Sequence, residues 1–179
     1  MRIISGKYRG LKLAEFGGGD IRPTADRVKE SLFNIISACV QGASVLDLFC
    51  GSGNLGIECL SRGAGEVHFN DVSLKSLAVL KKNLAKIREN NYKITNLGYD
   101  ACLFTGGRYG LIFIDPPYRS EYGTASLRII GERGLLQTDG LAVFESDKSF
   151  VGEVDGLEMY DERKYGNTYL SFFRERGIR

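Results

Sequence analysis

Asp115-Pro116-Pro117-Tyr118 follows directly on the apolar run Leu111-Ile112-Phe113-Ile114. The tetrapeptide combines one carboxylate, two residues without backbone N–H groups and an aromatic ring. Such a set suits a planar exocyclic amine as methyl acceptor. The lone pair of that amine is delocalised into its ring, so a catalyst must reshape the nitrogen as well as position it. The Asp115 carboxylate can accept one N–H and the carbonyl that follows can accept the other. Together these bonds pull the nitrogen toward a tetrahedral, attack-ready geometry. Tyr118 offers a face on which a base can stack. Pro116 and Pro117 stiffen the backbone and keep donors out of a site that must accept. A strand end followed by a proline turn would give the same four letters, so the reading needs support from elsewhere in the chain.

That support lies upstream, where residues 45 to 56 read as a short apolar strand, a glycine turn and a helix start. Gly51, Gly53 and Gly56 fit the pattern G-x-G-x-x-G, in which missing side chains permit a tight turn and close approach of backbone to a ligand. Phe49 and Cys50 lead into the turn. Asp71 ends the next strand-like run, Val67-His68-Phe69-Asn70, at about the 20-residue offset where a carboxylate meets ribose hydroxyls. A nucleoside-bearing cofactor is therefore expected. Asp47 decides which one, because it stands where the pyrophosphate of a dinucleotide would dock at the helix N-terminus. A carboxylate there opposes an anion and suits the ammonium of S-adenosylmethionine, which has no phosphate. Asp47 can also accept from backbone N–H groups of the turn, and the two roles are compatible.

A third group of residues points to a polyanionic partner. Arg2, Lys7, Arg9 and Lys12 occur within the first twelve residues, which contain no acid, and Arg22, Arg27 and Lys29 follow. The alternation from Arg2 to Leu13 predicts a small hairpin turning near Gly6 or Gly10, outside the main sheet. Basic side chains with Tyr8 among them suit phosphate contacts combined with stacking. Lysines that merely prevent edge pairing of a ribbon would look the same.

The elements that must position these residues alternate between strand and helix. A helix is predicted over 26–39, with Val28, Leu32, Phe33, Ile35 and Ile36 as its apolar stripe. Strands are predicted over 44–49, 66–70, 93–98, 110–114 and 141–145, with helices over 53–61, 74–89 and 124–133. A closing pair near 157–163 and 168–174 is joined by the turn Gly166-Asn167. This is an α/β pattern: a Rossmann-like, mostly parallel seven-stranded sheet with an N-terminal hairpin extension. The glycine turn, Asp71, Asp100 and Asp115 then fall at carboxyl ends of parallel strands, where ligands bind in open sheets. Residues 1–25 read as a basic extension and 26–179 as the catalytic domain, compact together as one unit.

Of the 179 residues 43% are hydrophobic and 26% charged, which supports a single globular core. The formal charge of +2 is too small to announce a nucleic-acid binder, so that case rests on where the charge lies. Four cysteines without a C-x-x-C pair and a single histidine, His68, make a metal site improbable. Cys39, Cys50 and Cys59 read as reduced packing residues. No signal peptide and no apolar run of membrane-spanning length is recognised, so a cytoplasmic protein is expected.

The chain resembles the bacterial small-subunit (16S) ribosomal RNA guanine-N2 methyltransferases of the RsmD type. The matching residues are Arg2 to Gly10, Arg22 to Asn34, Val45 to Gly56, Asp115 to Tyr118, and Lys164-Tyr165-Gly166. The glycine turn and Asp-Pro-Pro-Tyr are shared with many amino methyltransferases, whereas the first two segments are more specific. The resemblance implies a class I methyltransferase fold, S-adenosylmethionine as donor, and a guanine of small-subunit ribosomal RNA as acceptor, presented within a ribonucleoprotein particle. It places Asp47, Gly51 and Gly53 near the methionine part, Asp71 at the ribose, and Asp100 with Ala101 beside the adenine. Cys50 stands where the family usually has a smaller residue such as alanine. A monomer is expected. A DNA or RNA adenine-N6 methyltransferase remains open, since adenine offers the same tetrapeptide a similar amine, although 179 residues leave little room for the target-recognition domain those enzymes commonly add. A nucleic-acid-binding protein that keeps the fold without the chemistry is the third reading.

Overall fold

The computed structural model describes residues 1–15, 23–117 and 120–177, without the side chains of residues 23–25. Seven strands form one sheet: β1 (Ser44–Asp47), β2 (Glu66–Asn70), β3 (Tyr92–Thr95), β4 (Tyr109–Ile114), β5 (Leu136–Ser146), β6 (Leu157–Tyr165) and β7 (Thr168–Glu175). Their order is β3-β2-β1-β4-β5-β7-β6, with β7 alone running opposite to the other six. Strand order reverses between β1 and β4. That switch opens a crevice at the carboxyl ends of the two strands, next to Asp47 and Asp115.

Helices cover both faces, as parallel strands require. Side chains alternate along each strand, and Val45, Val67, Phe69, Leu111, Phe113 and Val143 pack on one face with α1 (Pro23–Ile35), α2 (Asn54–Ser61) and α3 (Leu74–Leu84). Leu46, Ile112, Ile114 and Phe144 pack on the other face with α4 (Tyr99–Thr105) and α5 (Tyr122–Arg133). α1 begins with Pro23, whose missing N–H costs nothing at a first helical position, three residues before the predicted start. α3 ends at Leu84, five residues short of expectation. Tighter turn bonds follow, from Lys86 N–H to Asn83 and from Ile87 N–H to Leu84, and they keep Ile87 buried on the same stripe. Periodicity alone could not see that change of helix type.

Two further departures concern α4 and β5. α4 follows the strand predicted over 93–98, and the sequence predicted no helix there. It is seven residues between Gly98 and Gly106, and only Cys102 and Leu103 are buried, too few to write a helical period. β5 starts at Leu136 rather than 141, because a register shift between Tyr109 and Leu111 accommodates a bulge with Asp139 at φ 60°.

Residues 1–13 form a ribbon closed by an Arg2–Lys12 bridge, with Gly6 and Gly10 at positive φ. It docks on α2 and α3. Ile3 and Leu13 join the core cluster of that face. The Glu58 carboxylate, fully buried on α2, accepts the backbone N–H groups of Ile4 and Ser5 and pairs with Lys29 at 2.9 Å and Arg62 at 2.8 Å. Burial alone would raise Glu58, but Lys29, the Ile4 N–H and Arg62 bring it below the usual carboxylate range. A Cβ on Gly6 would lie 1.9 Å from the Ser61 carbonyl oxygen, so only glycine lets the ribbon approach α2 this closely.

Candidate active site

The glycine turn is closed by the Gly53 N–H bonding to the Cys50 carbonyl at 2.7 Å and is tied to its surroundings by two carboxylates. Asp47, buried at the end of β1, accepts the Gly56 N–H at 2.9 Å, three positions into α2. A carboxylate therefore already occupies the N-terminus of α2, the place a pyrophosphate would need. Burial, set against the Gly56 bond and helped by nearby Asp115 and Asp71, pushes the Asp47 carboxyl up to about 7. A cation entering this space would restore its charge. Asp71 accepts the Gly51 N–H at 2.8 Å and the Ser73 N–H at 2.7 Å, so it ties the turn to the start of α3. Gly53 caps α2 at φ 82°, where a Cβ would meet Leu80 at 2.2 Å. Gly56 faces the Phe69 ring, which a Cβ would approach to 2.3 Å. Gly51, at φ 54°, has open space where its Cβ would be, and it borders the cleft.

That cleft has a volume of ≈ 950 Å³ and is lined by Asp47, Phe49, Gly51, Lys29, Asp115 and Glu145, among others. Asp115 is solvent-accessible at its mouth, yet the surrounding walls still raise its carboxyl through desolvation. Glu145 is raised by burial and, beyond that, by the charge of Asp115. The two carboxyls thus hold a proton between them more readily than either would alone. The Pro117 carbonyl accepts from the Ser120 hydroxyl at 2.8 Å. Among the described residues the Pro116 carbonyl accepts no hydrogen bond, which leaves it available beside Asp115. Tyr118 and Arg22, both expected to contact the acceptor, lie outside the described residues.

Asp100 and Ala101 are exposed in the first turn of α4. They do not line the large cleft, and neither do Gly53 and Asp71, the latter meeting the glycine turn through the Gly51 N–H. Phe49 links the cleft to α4. It lines the cleft and lies 6.0 Å from Tyr99, whose ring is 5.1 Å from Tyr122. The residues present fit an elongated, phosphate-free nucleoside cofactor with a cationic end: carboxylates toward the cleft, an aromatic and polar ledge beyond the turn.

The basic residues of the ribbon divide into two sets. Lys7 pairs with Glu89 at 2.8 Å, and the Tyr8 hydroxyl donates to Glu89 while accepting the Arg88 N–H, so both side chains fasten the ribbon to the segment that follows α3. Arg2, Arg9, Lys12 and Arg27 are exposed and have no carboxylate partner among the described residues. None of the four lines the cleft, although Met1 next to Arg2 does; Arg2 and Arg9 line a smaller pocket with Asp26 and Glu30. Lys29, read as one more basic surface group, is instead buried and donates to the Arg2 carbonyl and to Asn54. Glu145 was missed by sequence reading. Its only signal is an acid placed directly after a buried apolar run, Leu141 to Phe144, the same signal that marks Asp115.

This sheet order, with its glycine turn after β1 and an acid ending β4, is the fold of class I S-adenosylmethionine-dependent methyltransferases, and the chain is such an enzyme. It belongs to the family described as Conserved hypothetical protein 95, whose model it matches over residues 1–174. The protein YlbH of Bacillus subtilis is 36% identical over 184 residues, covering 99% of this chain and 100% of that protein. The Ribosomal RNA small subunit methyltransferase D of Escherichia coli is 34% identical over 148 residues, covering 82% of this chain and 75% of that one. The solved structure of yhhF from Escherichia coli matches with a TM-score of 0.87 at 31% identity, covering 98% of this chain and 97% of the other. Among the described residues no helix is long and apolar enough to cross a membrane.

Proposed function

We propose that this chain transfers a methyl group from S-adenosylmethionine to the N2 amine of a guanine in small-subunit ribosomal RNA, acting as a cytoplasmic monomer on a ribonucleoprotein particle. The observation that carries the reading is Asp115 at the carboxyl end of β4, facing a cleft that it shares with Asp47 and the glycine turn. The relatives named as small-subunit ribosomal RNA methyltransferases support the class of acceptor. When bound, S-adenosylmethionine supplies an electrophilic methyl group. Asp47 and Gly51 hold its methionine part, Asp71 its ribose, and Asp100 with Ala101 the adenine. Asp115 and the Pro116 carbonyl each accept one N–H of the acceptor amine, and Asp115 stabilises the positive charge that develops on nitrogen. Tyr118 stacks on the base. Arg2, Arg9, Lys12, Arg22 and Arg27 hold phosphates beside the cleft, while Lys7 and Tyr8 keep the ribbon in place.

Methylation of small-subunit particles by the purified protein, followed by mass spectrometry of the nucleosides, tests the assignment. N2-methylguanosine is the expected product. N6-methyladenosine, or no methylated nucleoside from the particles, would overturn it.

A further inference from the structure

A second carboxyl stands beside Asp115, and the steps above leave it unused. The parallel register pairs Phe113 with Val143 and Ile114 with Phe144, so the next step along both chains puts Asp115 opposite Glu145. Phe113 and Val143 belong to the core on the face covered by α1, α2 and α3, and alternation sends Asp115 and Glu145 to that same face. Both line the cleft. Neighbouring strands lie about 4.8 Å apart, and Glu145 has one methylene more than Asp115, so two acceptors can converge on adjacent atoms of one planar ring. No hydrogen bond from a described residue engages either carboxyl, whereas Asp47 and Asp71 are both bonded to backbone N–H groups.

We propose that Glu145 reads the ring edge next to the reacting amine, its carboxyl accepting the guanine N1–H while Asp115 accepts an N–H of the 2-amine. The proposal rests on the guanine-N2 reading and adds the residue that selects the base. A protonated Glu145 keeps its carbonyl as acceptor for N1–H and has an O–H left for guanine O6, the next atom along that edge. Burial and the charge of Asp115 both favour that protonated form. Adenine carries a lone pair on the ring nitrogen beside its amine and has no carbonyl, so it meets this fork with at most one bond. Selection then lies in partners left unmade once the bound base has displaced water from the cleft, which costs more than the bonds themselves contribute.

The test uses small-subunit particles whose methylated guanine has been mapped, rebuilt with 2-aminopurine at that position. This base keeps the 2-amine but lacks N1–H and O6. Wild-type enzyme should prefer guanine by about 10- to 100-fold in kcat/KM, as expected for one well-placed two-bond contact. Glu145→Ala should bring the ratio within about threefold of unity, and Glu145→Gln, whose amide keeps a carbonyl and a donor, should restore at least about tenfold. Binding of S-adenosylhomocysteine to each variant checks that the fold is intact. Equal use of the two bases by wild type, an unchanged ratio in Glu145→Ala, or a Glu145→Gln variant that behaves like Ala would each overturn the role of Glu145. Absence of N2-methylguanosine from wild type on unsubstituted particles would remove the acceptor assignment itself, a failure visible before any variant is made.

Discussion

At the scale of single residues the chemistry depends on where carboxylates are kept charged. Asp115 needs its negative charge only as the amine becomes cationic, so its effect falls on the transition state more than on binding. Asp115→Asn should reduce turnover by about 10²-fold or more while S-adenosylmethionine still binds. Single-turnover methylation at the wild-type rate would remove Asp115 from the mechanism. Asp47 makes a different prediction, about stability. Its folded value, pushed up to about 7, lies above its ordinary value of 3.8. A raised carboxyl favours the folded state below its unfolded pKa, and this contribution is lost as pH rises through the folded pKa. Asp47→Asn retains an oxygen to accept the Gly56 N–H but cannot ionise. In the cofactor-free protein the Tm of the variant should therefore gain on that of wild type as pH rises from about 4 to about 8. A Tm difference independent of pH would contradict the buried, ionising carboxyl. The same variant should bind S-adenosylmethionine more weakly, since the ammonium loses a charged partner.

At the scale of elements, the N-terminal ribbon combines anchoring and contact on separate side chains. Glu58 is the anchor, joining ribbon, α1 and α2 through Ile4, Ser5, Lys29 and Arg62. Glu58→Ala leaves Lys29 charged, buried and unpaired, and should cost about 3–5 kcal/mol in urea unfolding. A loss within about 1 kcal/mol, the range of an exposed pair, would mean that water reaches this cluster. Arg9 and Lys12 are the contact side. Replacing both by alanine should flatten the salt dependence of RNA binding, each lost phosphate contact removing about 0.9 from the log–log slope on duplex or 0.7 on single strands. Cofactor affinity should not change. An unaltered slope would return these residues to a structural role, as would a loss of folding with no loss of RNA affinity.

At the scale of the whole molecule, the cofactor site joins elements from both sides of the topological switch, so ligand binding should stabilise the entire sheet. S-adenosylhomocysteine at about 100 times its Kd should add about 2.7 kcal/mol to unfolding, and NAD should add none. Stabilisation by NAD would show that the Asp47 carboxylate does not exclude a pyrophosphate. The sequence by itself determined the order of strands and helices, the glycine turn and the acids that end strands, because period-2 and period-3.6 patterns and turn chemistry are local. Asp47, Asp71 and Asp115 are legible for that reason: each directly follows or ends an apolar run. Short α4 was not, since two buried residues write no period, and the early start of β5 was hidden by a bulge that only pairing with β4 reveals. Tertiary structure alone decided which basic residues stay free. Lys7 and Lys29 look like Arg9 and Lys12 along the chain, but their acidic partners are 82 and 29 residues away. It also decided that Glu145 stands beside Asp115, because neighbours in a parallel sheet are set by crossover connections, and the register that brings two carboxyls onto one face exists only after the strands have paired.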